Sequence, residues 1–196
     1  MSIHGEQRKT VTVLFCDLAG STALGETVDP ERLRALLARY FERMKDIVER
    51  HGGSVEKFIG DAVMAVFGVP VVHEDDALRA VRAAAEMRDA LPELGLEGRI
   101  GVMTGEVVTG TEERLATGDA VNVAARLEQA AAPGDVLIGE TTLALVADAV
   151  EVEPVEPLQL KGKAEPVPAH RLLRVHDAPF VGRERELALI REAWEA

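Results

Sequence analysis

The stretch EKFIGDAVMAVFG, Glu56–Gly68, decides the fold. Two short apolar runs flank the pair Gly60-Asp61, and turn residues between strand-like segments are typical of a β-hairpin. A turn alone accounts for Asp61. However, Lys57 stands four residues before Asp61, and a second aspartate, Asp17, ends an apolar run earlier in the chain. These three residues raise the question of whether the hairpin contributes to a phosphate and metal site.

Composition excludes several classes of protein. A chain of 196 residues is long enough for one good core and a small extra segment. A composition of 47% hydrophobic and 29% charged residues is usual for a soluble globular protein. A net charge of −12 argues against a nucleic-acid-binding surface, which needs a basic face. The single Cys16 excludes an intrachain disulfide and fits a reducing cytoplasm. We expect no signal peptide and no membrane span, because no apolar run is suited to either.

Upstream of the hairpin, the pattern predicts a central strand and a long helix. Thr10–Leu18 is apolar and β-branched almost throughout, as in a strand that is buried on both faces. Asp17 therefore lies near the carboxyl end of a central strand. Asp29-Pro30 combines an N-cap with a proline at the first helical position, and apolar residues then follow helical spacing as far as the glycines Gly52-Gly53.

Downstream, a second helix follows the acidic run 74–76, and Glu97–Thr104 is a predicted strand. We expect Gly105 to break this strand and residues 106–109 to form its hairpin partner. A third helix over 118–131, a short strand, a short helix, an extended segment and a last strand, Ala169–Val175, complete the pattern. The order β-α-β-β-α-β predicts an α+β fold with a ferredoxin-like βαββαβ core, helices on one face, and extra C-terminal strands and helices.

Asp17 and Asp61 form the first candidate site. Two carboxylates at the ends of adjacent central strands can bind one or two magnesium ions, which prefer oxygen ligands and phosphate. A metal pair can clamp the attacking and leaving oxygens of an in-line phosphoryl displacement. Each aspartate taken alone is explained by a turn or a cap, whereas the pair on neighbouring strands favours metal binding.

Asn122 and Arg126 form the second candidate site. They are four residues apart, so they share one face of a helix that is otherwise mostly apolar. Arginine offers a planar, permanently charged fork that suits phosphate. The alternative is an ordinary surface pair of Arg126 with Glu128 or Glu112.

Two further lysines are open to ordinary explanations. Lys57 among apolar strand residues is consistent with an edge lysine whose stem lies along the sheet. Lys161, in the run Lys161-Gly162-Lys163, is either a phosphate contact or part of a basic turn. The sequence contains no GxxxxGK[ST] pattern, which excludes a P-loop ATPase within this chain.

Four motifs in order resemble the class III nucleotidyl cyclase catalytic domain, the family of adenylyl and guanylyl cyclases. They are FCDLAGST (15–22), EKFIGDAVMAVFG (56–68), GEVVTG (105–110) and GDAVNVAARLEQA (118–130). The resemblance implies a tail over residues 1–7 and a cyclase domain over 8–175. Residues 176–196 contain FVGRERELALI, which is similar to the opening of ATPase domains that follow such cyclases. We expect this segment to be a linker and the start of a truncated, downstream ATPase-like domain.

The resemblance also implies an activity and a set of roles. The domain would form a head-to-tail homodimer and convert ATP into 3′,5′-cyclic AMP and pyrophosphate with two Mg²⁺ or Mn²⁺ ions per site. One subunit would supply the metal ligands, and the other the purine contact, where guanylyl cyclases usually have glutamate. The implied roles are metal binding for Asp17 and Asp61, purine contact for Lys57, ribose positioning for Asn122, transition-state stabilisation for Arg126 and contact with the terminal phosphates for Lys161.

One position departs from the family pattern. The residue three before Gly118 is usually an aspartate or threonine that contacts the adenine amino group, and here it is Leu115. Leucine can neither donate nor accept a hydrogen bond, and one lost buried hydrogen bond costs about 1 kcal/mol. Leu115 therefore predicts weaker or less selective nucleotide binding. It also motivates an alternative: a cyclase-like domain that binds nucleotide or dimerises to regulate a downstream ATPase or signalling domain.

Overall fold

The computed structural model describes residues 7–109, 118–159 and 165–176, and within these residues the strands form one mixed sheet. The sheet has the order β2-β3-β1-β4-β5-β7-β6. The elements are β1 Gln7–Leu18, α1 Ser21–Thr27, α2 Pro30–Arg50, β2 Ser54–Ile59, β3 Ala62–Phe67, α3 Asp76–Ala90, β4 Gly98–Thr109, α4 Asp119–Ala130, β5 Val136–Gly139, α5 Glu140–Val146, β6 Val150–Pro154 and β7 Ala169–Val175. The predicted α+β class and its βαββαβ core, β1-α2-β2-β3-α3-β4, are confirmed.

Helix α2 begins and ends at its predicted signals. The carboxylate of Asp29 accepts hydrogen bonds from the backbone nitrogens of Glu31 and Arg32, at 3.0 and 3.2 Å, and Pro30 is the first helical residue. The helix ends where Gly52 takes a positive φ of 80°. Four residues on its inner face are buried in the core: Tyr40, Met44, Ile47 and Val48.

The expectation of helices on one face is wrong, because helices cover both faces of the sheet. Leu14, Cys16 and Leu18 share one core cluster with α2 and α3. The alternate residues of β1, such as Val13 and Phe15, pack under α4 on the opposite face. The physical reason lies in β1 itself: the strand is apolar on both sides, so each side requires its own cover.

The predicted break at Gly105 is also wrong. Strand β4 runs unbroken from Gly98 to Thr109 and pairs antiparallel with β1 along its whole length, with Gly105 opposite Val11. A Cβ added at Gly105 would lie 3.0 Å from the Cβ of Ala120 in α4. Glycine therefore makes room here for a helix that packs closely on the strand, and it does not mark a turn.

The C-terminal part extends the sheet beyond β4. Strand β5 pairs parallel with β4, and β7 joins β5 to β6 through antiparallel ladders. Strand β7 has the bounds predicted from the sequence. Among the described residues, no helix combines the length and apolar character needed to cross a membrane. Residues 1–6 and 177–196, which include most of the predicted tail and downstream segment, lie outside the described residues.

Candidate active site

Asp17 lies at the carboxyl end of β1, on the face that α4 covers. Its cross-strand partner in β4 is Arg99, whose Nη2 donates a hydrogen bond of 2.7 Å to Asp17 Oδ2. The two side chains are partly buried, with 21% of Asp17 and 30% of Arg99 exposed. Burial, followed by the charge of Asp61, raises the pKa of Asp17 above its ordinary value, against the lowering effect of Arg99.

Asp61 follows the β2–β3 turn, in which Gly60 takes a positive φ of 64°. Its charge raises the pKa of Asp17, so the two predicted metal ligands are close enough to interact electrostatically. Asp61 Oδ2 is buried without a hydrogen-bond partner among the described residues. Beside Asp61 lies a cleft of about 240 Å³, lined otherwise by Leu18, Ser21, Leu24, Leu33, Leu36, Leu37 and Leu96.

The two aspartates fit a hard divalent cation. An orphaned, buried carboxylate oxygen is costly unless a cation or a donor reaches it, and Mg²⁺ and Mn²⁺ favour such oxygens. Among residues 7–109, 118–159 and 165–176, no group of three or more His, Cys, Asp or Glu side chains is arranged around one metal position. An ion at Asp17 and Asp61 would thus take its remaining oxygens from substrate or water, as Mg²⁺ usually does.

Sequence reasoning missed Arg99, and it named Glu128 only within the alternative of a surface pair with Arg126. Glu128 is not a partner of Arg126; its side chain is only 7% exposed, and its Oε1 lies 3.6 Å from Arg99 Nε. Burial, then the charge of Asp17, raises the pKa of Glu128 to about 7. A signal was present, because Glu128 follows buried Ala124 by four residues and so falls on the buried face of α4.

Lys57 lies on the side of β2 that faces α4. It pairs with Met64, which belongs to the core cluster under α4, and its side chain is exposed. Phe58 takes the opposite face and packs against Phe41 of α2, with ring centroids 4.6 Å apart. The hairpin therefore presents a lysine on the α4 side of the sheet and Asp61 at its turn.

Asn122 and Arg126 share the outer face of α4, as predicted from their spacing. Both are exposed, and Arg126 Nη1 donates a 2.8 Å hydrogen bond to Gln129 Oε1. Within the described part of the chain, no hydrogen bond or ion pair joins Lys57, Asn122 or Arg126 to the two aspartates. Leu115 and Lys161 lie outside the described residues, and their roles stay predictions.

Comparison with known proteins identifies the class of protein. Residues 3–172 match the family model of the adenylate and guanylate cyclase catalytic domain. The chain is 32% identical over 188 residues to Adenylate cyclase 1 of Rhizobium meliloti (strain 1021), an alignment that covers 86% of this chain and 28% of that protein. The chain therefore belongs to the adenylate and guanylate cyclase catalytic domain family, and it spans about a quarter of the length of this relative.

Solved structures with both nucleotide specificities share the fold. The adenylyl cyclase CyaB from P. aeruginosa is 32% identical with a TM-score of 0.82, covering 88% of this chain and 98% of that chain. The guanylyl cyclase Cya2 is 36% identical with a TM-score of 0.83, covering 90% and 98%. The family resemblance noted in the sequence is thus confirmed, and the fold is common to adenylyl and guanylyl cyclases.

Proposed function

We propose that this chain is an adenylyl cyclase, which converts ATP into 3′,5′-cyclic AMP and pyrophosphate. The observation that carries the proposal is the pair Asp17 and Asp61: two carboxylates at the ends of neighbouring strands interact electrostatically, and a buried oxygen of Asp61 has no described partner. Membership of the cyclase family supports the reaction class. Lys57, where glutamate would indicate guanine, supports adenine as the base.

The metal ligands in this proposal are Asp17 and Asp61, which would hold two Mg²⁺ or Mn²⁺ ions. Asp17 would contribute a carboxylate oxygen, and Asp61 would contribute Oδ2, which has no hydrogen-bond partner among the described residues. When bound, such ions polarise the attacked phosphoryl group and favour ionisation of the attacking hydroxyl. Partial burial of the carboxylates strengthens their attraction for a cation relative to an exposed pair.

The remaining residues position substrate and stabilise charge. Asn122 would orient the ribose so that its 3′-hydroxyl oxygen forms a bond to the α-phosphorus while the bond to the β-phosphate oxygen breaks. Arg126 would place a permanent charge against the phosphoryl oxygens in the transition state. Lys57 would donate a hydrogen bond to the purine, and Lys161 would contact the terminal phosphates.

A second copy of the chain completes the site in this proposal. Lys57, Asn122 and Arg126 have exposed side chains and make no described hydrogen bond or ion pair with the aspartates. A head-to-tail homodimer would let one subunit supply these groups to the aspartates of the other. The exposed apolar side chains of Ile59, Val71 and Val72 are consistent with a buried partner surface, since they are 48%, 59% and 66% exposed in the single chain.

We further propose a cytoplasmic location and a downstream ATPase-like domain in the whole protein.

The test is formation of cyclic nucleotide by the purified 196-residue chain with ATP or GTP and Mg²⁺ or Mn²⁺. We expect cyclic AMP from ATP, and a loss of about 100-fold or more in Asp17→Ala and Asp61→Ala. Asp46→Ala, at an exposed site on α2, is the matched control and should equal the parent. Equal turnover in all four proteins would refute the proposal. Nucleotide binding by calorimetry without turnover would instead favour the regulatory alternative suggested by Leu115.

A further inference from the structure

We propose that helix α2 positions the two candidate metal ligands relative to each other. In this proposal Tyr40 holds the helix to the end of β1, and Phe41 holds the β2–β3 hairpin through its contact with Phe58. The three aromatic residues are positioning residues, and they act on the site only through the strands that carry Asp17 and Asp61. The inference rests on the proposed function, because it takes these aspartates as the metal ligands.

Backbone pairing between β1 and β3 stops short of the aspartates. The ladder ends with Cys16 opposite Val63, so Asp17 lies one residue past the last pair and Asp61 two residues before Val63. Asp61 is the less restrained of the two, since it follows the turn of a hairpin whose outer strand, β2, is at the edge of the described sheet. The ladder alone therefore does not fix the separation of the two carboxylates, on which a shared metal site depends.

Two consecutive residues of α2 contact both ends of the last row of paired residues before the aspartates. This row joins Cys16 of β1, Val63 of β3 and Phe58 of β2. The Tyr40 hydroxyl donates a long hydrogen bond of 3.5 Å to the carbonyl oxygen of Cys16, and it lies 3.8 Å from Cys16 Sγ. At the other end, the ring of Phe41 packs against that of Phe58, with centroids 4.6 Å apart. The helix thus holds the row from which both carboxylates follow.

The β1 end of this connection is deeply buried. Tyr40 is 0% exposed, and its ring lies 5.0 Å from that of Phe41 between centroids. Burial, followed by Cys16, raises the pKa of Tyr40 above its ordinary value, and the charges of Asp17 and Asp61 add to this effect. The hydroxyl is therefore a neutral donor that lies within electrostatic range of both carboxylates.

The hairpin end is less well supported by the sheet. Phe58 and Ile59 are 46% and 48% exposed, and the β2–β3 register shifts between Val55 and Lys57. An irregular edge hairpin with an exposed tip opens locally at a lower free energy than a central strand. The ring contact between Phe41 and Phe58 opposes this opening, because tilted aromatic pairs stabilise beyond the apolar area that they bury.

Loss of the ring contact should change metal affinity more than the chemical step. An aromatic pair shifts an equilibrium by about 3- to 10-fold, so without it Asp61 is in the binding arrangement for a correspondingly smaller fraction of the time. The apparent Kd for a metal ion rises by the inverse of that fraction. A saturating metal concentration selects the binding arrangement again, so kcat at high Mn²⁺ should stay within about twofold of the parent.

The experiment compares Phe41→Leu with a matched control, Val48→Ala. Val48 is fully buried on the same helix, seven residues beyond Phe41, so its truncation lowers Tm at a distance from the row. Mn²⁺ alone is titrated into each purified 196-residue chain well below its Tm, and free Mn²⁺ is measured by electron paramagnetic resonance. Binding that Asp61→Ala loses is binding at the site. We expect Phe41→Leu to raise the Kd for Mn²⁺ about 3- to 10-fold, whereas Val48→Ala and the ring-preserving Phe41→Tyr should keep the parent value.

Turnover with ATP gives a second readout. In Phe41→Leu the Mn²⁺ concentration for half-maximal rate should rise by the same factor as the Kd. If the parent forms no cyclic nucleotide, the proposed function fails, and the Kd values for Mn²⁺ still decide the positioning role. Three outcomes overturn the inference: a parent Kd in Phe41→Leu, an equal rise in Val48→Ala, or no binding in the parent beyond that of Asp61→Ala.

Phe58→Leu tests whether the effect passes through the ring contact. Because Phe41→Leu and Phe58→Leu remove the same contact, the double variant should show no larger rise in Kd than either single variant. Rises that multiply in the double variant would show that the two rings act independently, which contradicts the proposal.

Tyr40→Phe tests the β1 end of the connection. It keeps the buried ring and removes only the hydroxyl, so the Kd for Mn²⁺ should rise about 2- to 3-fold, the lower end for the loss of a hydrogen bond. An unchanged Kd would exclude the Tyr40 hydroxyl as the group that holds α2 to the end of β1.

Discussion

Gly101 is the position where one added methyl group should separate α4 from the sheet. A Cβ there meets the backbone of Ala124 and Glu128, which has no rotamer to change, so the helix must lift by about 1 Å. Overpacking costs about 1–3 kcal/mol in most cores, and backbone contact places Gly101→Ala near the upper end, about 3 kcal/mol. At about 2–4 °C per kcal/mol for a domain of this size, the expected fall in Tm is about 6–12 °C.

Calorimetry measures the fall in Tm, and the rate of cyclic nucleotide formation measures the effect on activity. Because a misplacement of about 1 Å can cost about 100-fold in rate, Gly101→Ala should lose activity even at temperatures where it is folded. Gly25→Ala is the control: its Cβ enters open space within α1, so its stability should be equal or up to about 1 kcal/mol higher. A Gly101→Ala protein that melts within about 2 °C of the parent would refute the close packing of α4 on β4.

Three further predictions concern stability, measured by urea unfolding in the presence of a chelator. The pKa of Glu128 is raised to about 7 in the folded chain. Its contribution to the free energy of unfolding is therefore present at low pH and is lost as pH rises from about 4.5 to about 7. Glu128→Gln should therefore gain up to about 3 kcal/mol over the parent near pH 8 and little near pH 4, and parallel pH profiles would contradict this. Thr142→Val removes the acceptor of the 2.9 Å hydrogen bond from the Thr104 nitrogen and should cost about 1–3 kcal/mol, whereas Thr142→Ser should cost clearly less. Asp29→Ala removes the cap of α2 and should cost about 1 kcal/mol, with Asp29→Ser as the control that keeps an acceptor; equal losses in both variants would exclude capping as the cause.

Local signals were sufficient for much of the fold. The N-cap Asp29 and the glycines after α2 mark that helix, and Gly60-Asp61 marks the hairpin, because each signal acts within a few residues. Gly105 shows where such reasoning ends. Its role is to accommodate Ala120, which is distant in sequence, and a glycine that makes room looks the same in a sequence as a glycine that turns the chain.

The site was predictable only in part, for the same reason. Motif spacing places Asp17, Lys57, Asn122 and Arg126 on their elements and Asp61 at the hairpin turn, and in the structure the charge of Asp61 acts on Asp17. The Arg99 link to Asp17 depends on the register of β1 against β4, and the link to Glu128 depends on the approach of α4. Neither the register of two strands nor the distance of a helix from a sheet can be derived from the local pattern of one sequence.

The two aspartates stand on parts of the sheet with different resistance to opening. Asp17 belongs to β1, which is paired on both sides along the centre of the sheet, whereas Asp61 follows the turn of a hairpin whose outer strand, β2, is an edge. Amide hydrogens of β1 should exchange with solvent only through near-global unfolding, and those of β2 through local opening. A cation that joins both carboxylates would slow exchange in β2 and leave β1 unchanged. The edge strand would therefore report, in its backbone amides, whether the site is filled.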